Sequence, residues 1–459
     1  MRYDSKYVVA LSLIPTLSYQ FIIHLNTRFV DWPETVFFSW IVSKGLLPHR
    51  DFFELHNPGL YYISGFVFRL FGPSLEFLRW EVAALMAMLF FVLLELQFYG
   101  NGIWFEQFVA PFLLMAAYVL YGYETHSTDC DRTRRMLLAG VLLGIGAVVK
   151  QPVIWNFIGV AFFICFWNVT TKTTPLSQVA RQVFWLGSGF AAPLILNLAY
   201  LSLQGAGQQY IHSALYVPLF DYGHEAYRIP GSSYVIRFLF WGLLSILFLF
   251  LRIKGAERDV QFQAWLLVIF FATSLMFDFP THGKLHLVPA LVFLCVFVSA
   301  LFGNLNRKRA WLGIVLVPFL IWVVIGHVRF LRNAWGEEYK FLTPSLVKAA
   351  LWAKENTKPN ERIYVLNGAH WHFYFLSERL PASYNTYLYP WMLRGSLGAE
   401  NILKDLENYH PRLIFVGRQI VEGRYDHESI EVIYRYIRHH YDAHVVIDGE
   451  TQVYKRKSV

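Results

Sequence analysis

The residues best suited to chemistry fall in four short segments of the 459-residue chain. The first runs Asp31-Trp32-Pro33-Glu34 and, after an apolar stretch, Gly45 to Leu60, which holds Arg50, Asp51, Glu54, His56 and Asn57. The second is Glu106, after Gly100-Asn101-Gly102. The third is Lys150-Gln151-Pro152, at the end of a run with Gly140, Gly144 and Gly146. The fourth is Thr281-His282-Gly283-Lys284-Leu285-His286. Carboxylates can take a proton from a hydroxyl or hold a divalent cation, while lysine and histidine can neutralise a phosphate. Each residue also has a plain structural reading. Asp-x-x-Glu is a capping box that would open a helix over 34–44. Asn57-Pro58 reads as an N-cap with proline at the first helical position. An acid such as Glu106 favours a helix N-terminus, and a lysine such as Lys150 can snorkel at a helix end.

The elements that must carry these residues are apolar. The chain is 56% hydrophobic and 16% charged, with a mean hydropathy of +0.37, against roughly 25% charged for an ordinary globular protein. Residues 1–330 are about 12% charged and residues 331–459 about 25%. This points to a membrane part, 1–330, followed by a water-facing domain, 331–459. Eleven apolar runs are candidate spans: 7–25, 58–72, 77–98, 103–122, 136–149, 151–167, 182–204, 233–252, 262–278, 285–303 and 310–330. No small-residue cleavage site follows the first run, so it reads as a permanent helix.

With the N-terminus inside, the inner loops collect 15 of the 23 Lys and Arg of the membrane part, as cytoplasmic loops do. The tail then lies on the outer face with loops 26–57, 99–106, 205–232 and 279–284. The net charge of +8 is thus largely topological and gives no reason to expect a nucleic-acid partner. Loop 26–57, studded with Trp, Phe and Leu, is expected to form amphipathic helices on the membrane surface. Strand-like runs at Arg362–Leu366, Leu413–Val416, His444–Asp448 and Gln452–Arg456, with helical patterns near 345–356, 399–408 and 428–440, predict a small α/β domain. Asp448-Gly449 is a hairpin signal. Cys130, Cys165 and Cys295 encode neither a disulfide framework nor a zinc site.

In these segments the chain resembles the GT-C superfamily of polyprenyl-phosphate-sugar-dependent glycosyltransferases, including RgtA/B/C/D-like bacterial transferases, aminoarabinose transferases and protein O-mannosyltransferases. The resemblance rests on Asp31, Gly45, Pro48-His49-Arg50-Asp51, His56-Asn57-Pro58, Leu70-Phe71-Gly72-Pro73-Ser74, Arg79, the interval from Glu106 to Lys150, and His286-Leu287-Val288-Pro289. It covers nearly the whole chain, through loose motifs in a shared order. It departs from the family pattern where Asp31-Trp32 replaces an Asp-Glu doublet and where His56 replaces a lysine.

The resemblance implies a polytopic helical GT-C fold of about 11 spans with an outer-face α/β domain, sited in the plasma membrane. It implies transfer of a sugar from a polyprenyl-phosphate donor to a lipid, glycan or protein acceptor. Asp31 and Glu106 are then the expected catalytic acids, and the residues expected to hold any Mg or Mn ion. His56, Lys150, Lys284 and His286 would meet the donor phosphate. Glu34, Arg50, Asp51, Glu54, Tyr227 and Arg228 would touch sugar or acceptor, with acceptor choice in loop 205–232. If one more span were hidden, Glu124 or Asp129 would replace Glu106. A transporter or lipid flippase is the rival class, but it would favour ionisable groups near the bilayer midplane and repeated halves, and this sequence shows neither.

Overall fold

The computed structural model describes residues 18–19, 21–87, 102–125, 128–172, 174–222, 232–279, 284–303, 312–336, 338–366, 371–386, 398–422 and 428–457. After a helical segment at 21–26, the first loop folds as α1 (Pro33–Ser43). The bundle continues with α2 (Gly59–Phe71), α3 (Leu75–Ala87), α4 (Phe105–Tyr121), α5 (Asp129–Val149), α6 (Val153–Thr171) and α7 (Leu176–Leu203). A π-helical stretch, His212–Tyr222, precedes α8 (Ser232–Ile253), α9 (Arg258–Ser274), α10 (Val288–Gly303) and α11 (Leu312–Ala334). Among the described residues, the segments Val153–Thr171, Leu176–Leu203 and Arg258–Asp278 are long and apolar enough to cross a membrane, and shorter apolar helices accompany them. Large apolar side chains such as Phe162, Phe166, Phe184, Leu196 and Leu203 point outward from α6 and α7. Water would not tolerate so apolar a surface, and lipid would.

Two expected spans are longer than their apolar runs. The run at 136–149 lies in α5, which starts seven residues earlier because the Thr128 hydroxyl accepts from the Asp131 N–H as its N-cap. Arg132, Arg134 and Arg135 are therefore helical, not part of a loop. The run at 151–167 continues to Thr171.

Glycine sets how closely the bundle packs. α5 lies along α7, and a Cβ added at Gly140, Gly144 or Gly189 would overlap the carbonyl oxygens of Leu186, Phe190 and Leu137 respectively. Gly59 lets the start of α2 approach the end of α5, since its Cβ would lie 2.7 Å from the Val148 carbonyl oxygen. Replacing Gly140 or Gly144 by valine should force the two backbones apart. We expect a loss of about 1–3 kcal/mol, typical of overpacking, read as a lower melting temperature in detergent. An unchanged melting curve would mean that α5 and α7 are not in backbone contact.

The tail adds α12 (Pro344–Asn356), β1 (Tyr364–Leu366), α13 (Trp371–Ser377), α14 (Ala399–Tyr409), β2 (Leu413–Gly417), α15 (Glu428–His440), β3 (Tyr441–Ile447) and β4 (Thr451–Arg456). The sheet order is β1-β2-β4-β3, parallel between β1 and β2 and antiparallel elsewhere. β3 and β4 form a hairpin around Asp448-Gly449. Alternation along the strands separates two apolar layers. Tyr364, Leu366, Ile414 and Val416 pack with Ile402, Leu406, Ile433 and Ile437. Val365, Phe415 and Val453 face the other way, in one core with Ala349, Phe373 and the helical bundle. That shared core is what brings the tail against the first loop.

Candidate functional site

Local sequence places each functional side chain, and long-range packing joins them. α5 ends where Lys150 turns extended, its N–H bonded to the Gly146 carbonyl, because Gln151-Pro152 cannot continue the helix. Pro152 then opens α6. Glu106 sits in the first turn of α4. The Lys150 ammonium donates to Glu106 Oε1, and His286 Nδ1 meets the same oxygen. Lys150 Nζ and His286 Nδ1 are 3.3 Å apart. Glu106 is fully enclosed, and its second oxygen has no hydrogen-bond partner among the described residues. An enclosed carboxylate with an ammonium and an imidazole against it is a costly arrangement, more typical of sites than of frameworks. Of the acids weighed for this place, Glu106 meets Lys150. Glu124 instead pairs with Arg258 and accepts from Trp167, and Asp129 pairs with Arg181, both beyond the far end of α4.

A second cluster lies in the first loop. Glu54 is buried and accepts the backbone N–H groups of Leu55 and His56 at 2.9 Å each. His56 Nδ1 is 2.8 Å from Glu54 and 3.4 Å from Glu34. The His56 ring stacks on Phe105 at 4.2 Å, one residue from Glu106. Gln151 donates to the Leu55 carbonyl at 2.8 Å, tying this loop to the Lys150 break. Burial raises Glu54, with the Glu34 charge adding to it, against the pull of His56. Burial works against a charge on His56, but hydrogen bonds to Glu34 and Glu54, and their charges, carry it up to about 9.

A histidine raised in this way stabilises the fold below its unfolded pKa of roughly 6.5, and that stability is lost as pH rises through the folded value. In protein stripped of divalent cations, the melting temperature should fall between about pH 7 and 10 by more than it does in His56→Asn. Parallel curves would show that His56 carries no such charge.

Two capping expectations need correction. Asp31 does not cap α1, whose N-cap is Trp32 with no side-chain bond. Asp31 Oδ1 accepts the N–H groups of Lys340 and Phe341 at 2.9 Å each. His372 Nε2 lies 2.8 Å from Asp31 Oδ2 and 2.9 Å from the Asp31 carbonyl oxygen. Both side chains are buried. The tail thus supplies N–H groups that a local cap would otherwise have offered. Asn57 does not cap α2 either. It spans helices, donating to the Ala147 carbonyl at 2.5 Å and accepting from the Tyr210 hydroxyl at 2.8 Å.

Aromatic rings link Asp31 to the Glu106 cluster. Trp32 lies 5.2 Å from Trp104, and the Lys150 ammonium is 5.9 Å from the Trp104 ring. Arg50 and Asp51 pair with each other at 2.7 Å in a partly exposed turn and do not join either cluster. Tyr227, Arg228 and the Lys284 side chain lie outside the described residues, as do His224 and Glu225. Asp31 and Glu106, the acids expected to hold any cation, each face basic side chains, His372 for Asp31 and Lys150 with His286 for Glu106, whereas Glu34, Glu54 and His56 offer ligand atoms within 4.8 Å of one another. His372, Lys340, Trp32 and Trp104 were not anticipated. The tail residues carry no local signal, but Asp31-Trp32 and Trp104-Phe105-Glu106 each place a tryptophan within two residues of an acid.

No family model and no curated protein matches the sequence. Solved structures do match its fold. The crystal structure of ArnT from Cupriavidus metallidurans bound to undecaprenyl phosphate is 13% identical, with 98% of each chain covered and a TM-score of 0.57, and the apo state gives the same values. The archaeal oligosaccharyltransferase AglB from Archaeoglobus fulgidus, in complex with an inhibitory peptide and a dolichol-phosphate, is 11% identical over 99% of this chain and 75% of its own, with a TM-score of 0.54. The chain therefore shares the fold of these two proteins.

Proposed function

We propose that this chain is a membrane glycosyltransferase that moves a sugar from a polyprenyl-phosphate donor to a hydroxyl of a lipid, glycan or protein acceptor. The observation that carries this reading is the enclosed Glu106–Lys150–His286 cluster, joined through Trp104 and Trp32 to Asp31, in a chain with the GT-C fold. Solved neighbours of that fold hold undecaprenyl phosphate or dolichol-phosphate.

In the proposed reaction the acceptor oxygen attacks the anomeric carbon as its proton passes to Asp31. The bond from that carbon to the phosphate oxygen breaks in the same step, with inversion. A phosphate diester leaves as a monoester and needs no protonating acid, so the main demand is charge stabilisation. Lys150 and His286 supply it, and Glu106 holds both in place. His372, bonded to the Asp31 carbonyl, and the N–H groups of Lys340 and Phe341, bonded to Oδ1, fix Asp31, and Oδ2 takes the proton.

Glu34, Glu54 and His56 suit a divalent cation in donor type and spacing. Such an ion would need His56 without its Nδ1 proton and would add positive charge for the phosphate. In the proposed topology the N-terminus is cytoplasmic, the transmembrane module spans 1–330, and the domain 331–459 faces the outer side of the plasma membrane.

The test is to give membranes containing the protein a panel of radiolabelled polyprenyl-phosphate sugars and follow the release of polyprenyl phosphate. Consumption of one of them, dependent on the protein, supports the reading. Lack of consumption of every member, with the protein folded and an acceptor extract present, would count against it.

A further inference from the structure

Two tryptophans, Trp32 and Trp104, begin adjacent helices. Val30 and Gly102 pair in a short parallel bridge, with the Ile103 N–H bonded to the Val30 carbonyl at 3.2 Å. From this bridge the two segments enter α1 and α4 side by side. Trp32 and Trp104 are the N-cap residues, and neither helix has a side-chain cap. Two uncapped helix N-termini thus open in one place, each with the positive end of its dipole.

The indole N–H groups of Trp32 and Trp104 are both buried and have no partner among the described residues. Trp104 is only 9% exposed. Buried donors without acceptors are rare and cost free energy, so a pair of them calls for an explanation. Cations flank both rings: Lys150 Nζ is 5.9 Å from Trp104, and Lys340 Nζ is 5.4 Å from Trp32. The acids in the two first turns are already matched, Glu106 by Lys150 and His286, and Glu34 by His56. The two indole N–H groups are then donors without an acceptor among the described residues, the complement of an anion with several acceptor oxygens.

We propose that the indole N–H groups of Trp32 and Trp104, at the twin helix N-termini, bind the phosphoryl oxygens of the lipid carrier. This inference rests on the functional reading above and adds two binding residues to it. Neutral donors fixed in advance at the leaving phosphate stabilise the charge that develops there without drawing a proton from Asp31.

The full-length protein in nanodiscs tests it, with undecaprenyl phosphate, undecaprenol and inorganic phosphate as probes. Trp32→Phe and Trp104→Phe keep the rings and remove the N–H. Each should weaken undecaprenyl phosphate binding by about tenfold, as for one hydrogen bond to a charged group, and leave undecaprenol binding unchanged. Phenylalanine variants that bind undecaprenyl phosphate as wild type does would overturn the proposal alone. Equal loss of both lipids would also overturn it, because it would mark the rings as packing. Displacement of undecaprenyl phosphate by an equal concentration of inorganic phosphate would rule out a lipid source for the phosphoryl group. Failure of the wild type to bind undecaprenyl phosphate at all would remove the underlying functional reading, and this inference with it.

Discussion

Asp31→Asn should reduce sugar transfer by about 10²- to 10⁴-fold, the range contributed by a positioned general base, while donor binding stays close to wild type. The substitution is nearly isosteric. Its remaining oxygen can still accept from the Lys340 and Phe341 N–H groups, and the His372 Nε2 N–H keeps the main-chain carbonyl of residue 31 as its acceptor. The fold is therefore retained and only the proton acceptor is lost. A melting curve within a few degrees of wild type, with single-turnover rates on the labelled donor, separates chemistry from stability. His372→Gln offers a companion measurement. In the proposed reaction His372 positions Asp31 and stays off the substrate, so its loss should cost less than Asp31→Asn and should shift the pH profile of transfer. Transfer by Asp31→Asn at the wild-type rate would remove Asp31 from the reaction and leave it as the clasp between the first loop and the tail.

Lys150→Gln should be nearly as damaging, at about 10²- to 10³-fold in transfer, the usual cost of removing a fixed group that stabilises developing charge. Two effects add. In the proposed reaction the leaving phosphate loses an ammonium, and Glu106 keeps an enclosed carboxylate with His286 as its remaining partner. The double variant Glu106→Gln/Lys150→Gln removes the stranded charge as well as the ammonium. It should recover most of the thermal stability lost in Lys150→Gln but none of the activity. If stability and activity return together, Glu106–Lys150 is a structural pair and the phosphate is held elsewhere.

Much of the architecture was legible in the sequence because it follows from local rules. The β1 and β2 runs, the hairpin at Asp448-Gly449 and the helix over 428–440 fall within a few residues of where periodicity put them. Glu106 as a first-turn acid and Lys150 at a break before Pro152 follow from helix ends and from proline chemistry. Where a local rule met a distant competitor, it failed. Asp31 had a capping box to enter, but the tail offered two N–H groups and an imidazole, and Asn57 found a carbonyl and a hydroxyl on other elements.

The sequence by itself determined that the chain is apolar, helical and followed by a charged α/β region, and which acids and bases sit at helix ends. Those properties depend on neighbours one to four residues away. Only the tertiary structure decided the partnerships. Glu106 meets Lys150 44 residues on and His286 180 residues on, and Asp31 meets His372 341 residues on. Such pairings depend on which helix faces touch and how closely glycines allow them to approach, and no spacing along the chain encodes that.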